Sequence, residues 1–129
     1  MKSRRALILV HPHASLIHEG KKRAILKSRR YRIEGEPLYL VERHEGQGWC
    51  YGVVVLGKPE RITRGEAVER FEEHRVTEEE MDRWWNPQVY PRLWLYPIKR
   101  FKPRLGLWLS YERGQQTFDV APRIEWLED

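Results

Sequence analysis

The stretch His11–Tyr31 reads HPHASLIHEGKKRAILKSRRY, and its successive parts differ in kind. It opens on two histidines flanking Pro12 and continues through Ala14–Glu19, a segment suited to a short helix. It then reaches Gly20, the residue type that ends helices in a left-handed conformation. From Lys21 to Arg32 the pattern predicts a basic strand. Lys21, Arg23, Ile25, Lys27, Arg29 and Tyr31 fall on one face, and Lys22, Ala24, Leu26, Ser28 and Arg30 on the other. A polar turn, a short helix and a strand with cations on both faces make a compact place to hold an anion.

Working outward, the run Arg5–Val10 (RALILV) is short, apolar and bounded by charge, which predicts a buried strand. Downstream, Pro37–Arg43 (PLYLVER) and Gly48–Leu56 (GWCYGVVVL) are β-rich. Between them His44–Gln47 forms a hairpin turn with Gly46 and Gly48 at hand. Glu60–Thr63 extends the second run, with Thr63 placed to cap a helix Arg64–Phe71. Thr77 and Glu80 have the spacing of a capping box, opening a helix that Asn86 and Pro87 stop after Trp85. Arg92–Phe101 and Leu105–Tyr111 return to strand character, and the latter turns at Glu112–Gln115 into Thr117–Val120. The pattern predicts a mainly β, α+β domain over residues 1–129: a small antiparallel or mixed β-barrel with two or three short helices. The two-residue period places Leu7, Leu9, Leu38, Leu40, Val53, Val55, Leu93 and Leu95 in one core.

A chain of 129 residues, 40% hydrophobic and 12% aromatic, suffices for a single domain with a real core. The lone Cys50 excludes an internal disulfide, and no run is long and apolar enough to span a bilayer. These features predict a cytoplasmic, monomeric protein with no membrane association. The dense charge, with Asn86 as the sole asparagine, points to a thermophilic source. Lys and Arg number 24 against 19 Asp and Glu, a net charge of +5 that favours polyanionic partners. The excess lies before Leu40 and around Lys99–Arg104, whereas Glu66–Asp82 is acidic, so a basic side and an acidic side are expected.

Gly20, Lys22 and Lys27, with the short helix before them and the PLYLVER and GVVVLGKP strands after, resemble the ASCH domain group of the PUA-like superfamily. Its signature is Gly-x-Lys-x-x-Glu-x-Arg. Gly20 and Lys22 match it, Ile25 stands at the Glu position and Lys27 at the Arg position. Arg75–Trp85 (RVTEEEMDRWW) also looks like the approach to the final barrel strands of such proteins. The resemblance implies a PUA-like barrel that binds RNA or holds a modified nucleobase or nucleotide beside the helix and first strands. It also implies a second possibility, because some ASCH proteins are amidohydrolases that deacylate a modified cytidine with a lysine, a threonine three residues later and a glutamate. Lys22 matches the lysine, Ile25 lacks the hydroxyl, and Glu66 or Glu69 is a candidate acid.

The candidate contacts to RNA, single-stranded nucleic acid or a modified nucleotide are His13, Ser15, Lys21, Lys22, Lys27, Arg29, Arg30, Trp49 and Trp84. The cations suit phosphate, and Ser15 sits at the start of the short helix, where a hydroxyl caps it or meets a phosphate. At least one of Trp49, Tyr51, Trp84 and Trp85 is positioned to stack a base, with core packing the competing use. Lys22 and Glu66 are the catalytic candidates. His11 and His13 bring two rings toward one cleft, but no carboxylate or cysteine accompanies them at ligand spacing, so neither a metal nor a cofactor is expected. Cys50 reads as a small buried residue. A third reading has the acidic helical segment docking a basic partner protein.

Overall fold

In the computed structural model, residues 4–44, 47–110 and 120–121 are described. The strands among these residues are β1 (Arg4–Val10), β2 (Ala24–Lys27), β3 (Leu38–His44), β4 (Gln47–Leu56), β5 (Glu60–Thr63), β6 (Arg92–Ser110) and β7 (Val120–Ala121). They form one curled, half-barrel sheet of order β2-β6-β4-β3-β1-β7, with β5 also beside β6. β1 and β3 run parallel, Leu9 opposite Glu42, and the other pairs are antiparallel. The expected mixed, barrel-like sheet with short helices is therefore the observed one, and it fits the PUA-like fold.

The spine is β6, one strand of 19 residues where the sequence divides into two. Its first part pairs with β2 and β5 and its second with β4, which carries it through Pro103. That proline lies opposite Gly52, where the register shifts. Gly52 has φ +148°, and a Cβ there would stand 2.2 Å from the Lys102 carbonyl oxygen, so only glycine admits the close approach. The expected turn at Glu112–Gln115 and strand start at Thr117 lie outside the described residues, as do Glu45 and Gly46.

Among the described residues four short helices decorate the sheet: α1 (His13–His18), α2 (Arg64–Glu69), α3 (Phe71–His74) and α4 (Glu78–Trp84). Thr63 and Thr77 each open a helix with a complete capping box, closed by Glu66 and Glu80. The helix expected over Arg64–Phe71 breaks at Arg70, whose backbone leaves helical geometry between α2 and α3. Ser15 does not cap α1: Pro12 holds the cap position and Ser15 lies inside the helix. Gly20, at φ +78°, ends α1 as its residue type predicts. The Lys21 amide donates to the Leu16 carbonyl and the Gly20 amide to Ile17, a Schellman closure.

The basic strand is the main local correction. Only Ala24–Lys27 pairs, because β6 offers this segment just Trp94–Pro97 as partners. Before it, the Arg23 amide donates to the Glu73 carbonyl at the end of α3 instead of to a sheet neighbour. After it, the chain bends at Ser28.

The anticipated single core is three clusters. Leu7, Leu9, Leu38 and Leu40 pack with Ile25 and Val54, whereas Leu93 and Leu95 join Leu26, Ile62 and Met81 on the other side of the sheet. Val53 belongs to neither, packing instead against Ala6, Tyr39 and Val41. Pairing residues share a face, and Leu38 pairs with Val54, so the phase expected for β4 is off by one.

Candidate functional site

The Schellman turn decides the site. By reversing the chain at Gly20 it sends Lys21 outward and Lys22 inward, where Lys22 is only 4% exposed. Its ammonium donates to the His74 carbonyl and lies 3.2 Å from His13 Nδ1. His13 Nε2 in turn stands 3.0 Å from Glu80 Oε2, while the other Glu80 oxygen accepts the Thr77 amide of the capping box. A carboxylate, an imidazole and an amine thus form one chain. Glu80 fixes the tautomer: Nε2 carries the proton toward the carboxylate and Nδ1 accepts from Lys22.

His13 and Lys22 of this chain line a cavity of about 190 Å³, with Glu80 behind His13. The other lining residues are Ile8, Leu9, Val10, Ile25, Leu26 and Val76, with Lys27, Arg43, Trp84 and Trp85 completing it. Burial, reinforced by the neighbouring Lys27, pulls the Lys22 amine down to about 7, with Glu80 opposing. Lys27 is half-buried as a residue, and desolvation of its amine lowers its pKa as well, to about 7. Desolvation and Lys22 together keep His13 below its ordinary value against the pull of Glu80. In Glu80, burial raises the pKa, but hydrogen bonds from Thr77 and His13 prevail and hold the carboxyl low. Two lysines poised near neutrality in one cavity make a site whose positive charge a bound anion would switch on.

Trp84 sits at the rim, 36% exposed, edge-on to both His13 and Trp85, with ring centroids 5.7 Å apart in each case. Trp85 packs inward against the third core cluster. The other anticipated contacts point elsewhere. Lys21 is exposed and ion-paired with Glu19, and Arg29 donates to the Tyr90 hydroxyl. Arg30 pairs with Glu34 and lies over the Trp94 ring. Trp49 is half-buried on β4 and does not line the cavity. Glu66 is exposed, its carboxylate engaged by the Thr63 amide, so the acid that reaches Lys22 is Glu80. Cys50 is fully buried, and burial pushes its thiol up to about 12, which leaves it inert.

A second polar cluster lies on β3. His11 does not share a cleft contact with His13: its Nδ1 meets Glu42 Oε2 at 3.1 Å, and His44 Nε2 meets the same oxygen at 3.1 Å. Glu42 is fully buried. The Ser15 amide donates to Oε1 at 2.9 Å, and Ser15 Oγ lies 2.8 Å and 2.7 Å from the two oxygens. The Tyr51 hydroxyl is 2.9 Å from that Oγ. Burial alone would raise the Glu42 pKa, but the hydrogen bonds from Ser15 and His11 outweigh it and keep the group a carboxylate. Glu42 and His44, two apart on one strand, necessarily share a face, a signal available in the sequence. His11 joins them only through the parallel pairing of β1 and β3.

No protein-family model and no curated protein sequence matches the chain. Among solved structures, the ASCH protein of Zymomonas mobilis matches with a TM-score of 0.65 at 13% identity, over 80% of this chain and 71% of that one. Its serine-to-alanine mutant matches with a TM-score of 0.65 at 12% identity, over 80% and 72%. Its tyrosine-to-phenylalanine mutant also gives 0.65, at 13% identity over 82% and 76%. The chain is thus similar to the Zymomonas mobilis ASCH protein, and at this identity the likeness is one of fold.

Proposed function

We propose that this protein binds a modified nucleobase or nucleotide, free or within RNA, in the cavity between Lys22, Lys27 and Trp84. The observation that carries the reading is the pair of lysines with desolvated amines in a largely apolar cavity, which His13 and Arg43 also line, with an indole at its mouth. A cavity of about 190 Å³ is smaller than the roughly 300–1,000 Å³ of sites for drug-sized ligands and suits one heterocyclic ring. The lysines donate to a carbonyl or phosphate oxygen, and Trp84 offers a stacking face. The ASCH-like fold is consistent with this chemistry. The acidic helices are less suited to capturing a basic partner, since Asp82, Glu73 and Glu72 already pair with Arg64, Arg70 and Arg75.

Titration with nucleoside monophosphates and N4-acetylcytidine, followed by tryptophan fluorescence and calorimetry, tests the reading. Saturable binding is expected, weakened about tenfold or more in Lys22→Met and about fivefold or more in Trp84→Ala. Absence of saturable binding to every ligand offered, or equal binding by the Lys22→Met variant, overturns it.

The Glu80–His13–Lys22 chain favours a second reading, amide hydrolysis. A neutral Lys22 amine is a competent general base: it takes a proton from water as the oxygen adds to an acyl carbonyl, then returns it to the departing amino group as the C–N bond breaks. Water replaces the missing hydroxyl nucleophile, since Ile25 lines the cavity as bare hydrocarbon. Release of acetate from N4-acetylcytidine by the wild type, abolished in Lys22→Met, would promote this reading above simple binding.

A further inference from the structure

We infer that His11, Glu42 and His44 form a mononuclear site for a divalent transition-metal ion of the zinc class. The three ligand atoms lie within 4.8 Å of one another, and both ring nitrogens stand 3.1 Å from the same carboxylate oxygen. An ion bonded to imidazole nitrogen at about 2.0–2.1 Å and carboxylate oxygen at about 2.0–2.2 Å holds neighbouring ligands roughly 2.9–3.4 Å apart. The two spacings to Glu42 Oε2 are therefore already those of coordination edges.

The surroundings have the layering of a metal centre. Glu42 is wholly buried at the floor, and the imidazoles of His11 and His44 are 66% and 35% exposed above it. Solvent thus reaches the ligands from one side only. Behind the carboxylate, the Ser15 amide and hydroxyl hold its two oxygens, and Tyr51 holds the hydroxyl. Such outer hydrogen bonds fix the orientation of a ligand before the ion arrives. The site is built from the residue after β1, the third residue of α1, β3 and β4; β1, α1 and β3 also lend residues to the lysine cavity, but none of His11, Ser15, Glu42, His44 and Tyr51 lines it.

Donor chemistry selects the ion. Two imidazoles and one carboxylate suit Zn(II), Co(II), Ni(II) or Cu(II), whereas Mg(II) and Ca(II) require mainly oxygen. Three protein ligands leave at least one position for water or an anionic ligand, the arrangement of open zinc sites.

Untagged full-length protein, stripped by chelator and titrated with CoCl2, tests the site through the visible ligand-field absorption of bound Co(II). ZnCl2 competition then gives the zinc affinity. One ion per chain is expected. Binding should be lost in His11→Ala and His44→Ala, whose side chains are exposed enough to be removed without disturbing the core. It should weaken about 10- to 100-fold in Ser15→Ala, which leaves the three ligands in place but frees the carboxylate. Thermal melting should rise with added ZnCl2 in the wild type and stay flat in His11→Ala. Failure to bind Co(II), or binding that survives in the His11→Ala, His44→Ala double variant, overturns the assignment. These readouts involve no nucleotide, so they succeed or fail independently of the lysine cavity.

Discussion

Lys21 and Lys22 are adjacent in the chain and opposite in circumstance. Lys21 stands in water, paired with Glu19 at 3.4 Å, an interaction that the solvent screens to little. Lys22 is 4% exposed, bonded to His74 and His13, and its amine has fallen to about 7. The same side chain is therefore a permanent surface charge at one position and a proton switch at the next. The difference comes from a single helix terminus, since the closure at Gly20 turns one residue out and the next residue in. Arg29 and Arg30 extend the outer set, and Lys27 joins Lys22 in the cavity.

The largest expected consequence is in stability against pH. Lys22 is depressed in the folded protein, from an ordinary 10.5 to about 7, so between those values the unfolded chain holds more protons. The cost of burying the ammonium is fully present below pH 7. It is relieved as pH rises through the window and is gone above 10.5. A tenfold loss of proton affinity corresponds to about 1.4 kcal/mol, so the depression sets a ceiling of roughly 5 kcal/mol for this one group. Urea unfolding at pH 6 and pH 10 measures it. The rise in unfolding free energy between these pH values should be several kcal/mol smaller in Lys22→Met than in wild type, and unchanged in Lys21→Met. Taking the difference between proteins cancels Cys50, whose raised pKa acts in the opposite direction at high pH. Equal pH dependence in Lys22→Met and wild type would erase the contrast.

Ligand affinity should carry the same signature at smaller magnitude. An anionic nucleotide needs Lys22 and Lys27 charged, and both lose their protons near pH 7 in the free protein. Affinity should therefore fall as pH rises from 7 to 9, by up to about tenfold per pH unit for each lysine that must be recharged. Calorimetry in buffers of different ionisation enthalpy should detect net proton uptake on binding at pH 8. A hydrogen bond from a charged donor contributes about 1.5–3 kcal/mol, so Lys22→Met should weaken binding by roughly 10- to 100-fold. Loss of a stacking face in Trp84→Ala should cost about 1–3 kcal/mol and leave the pH profile in place. Lys21→Ala should change neither.

How far the sequence reveals these features follows from the range of the interactions that set them. Gly20, Thr63 and Thr77 act within a few residues, and their helix ends are where local chemistry puts them. The strand alternation of Lys21–Arg32 is equally local, yet it fails, because β6 pairs with four of those residues only. The Gly20 closure turns Lys22 inward, but the carbonyl that receives its ammonium lies 52 positions away, and Glu80 is visible in the sequence as a cap but not as the partner of His13. The Glu42–His44 spacing is readable on one strand. His11 enters that group through a parallel register that no local pattern encodes. Val53 and Val54 exchange faces for a related reason: the bulge at Gly52 resets the count along β4.

The smallest effects should belong to the outer cations, and salt is the means to separate them from the inner pair. Arg30 is exposed, paired with Glu34 at 3.2 Å, and Arg30→Ala should shift unfolding by less than about 1 kcal/mol. If Lys21, Arg29 and Arg30 track the backbone of single-stranded RNA, each contact releases a counterion and adds about −0.7 to the slope of log affinity on log salt. Three contacts give a slope near −2 for RNA, which the combined Lys21→Ala, Arg29→Ala and Arg30→Ala variant should flatten uniformly across sequences, because phosphates carry no base identity. Binding of a single nucleotide in the cavity should respond less, since buried charge is poorly screened. RNA and nucleotide should thus separate on the salt axis as Lys21 and Lys22 separate on the pH axis. A salt slope in the triple variant as steep as in wild type would show that the outer cations face water alone and that whatever grips the RNA backbone lies elsewhere on the surface.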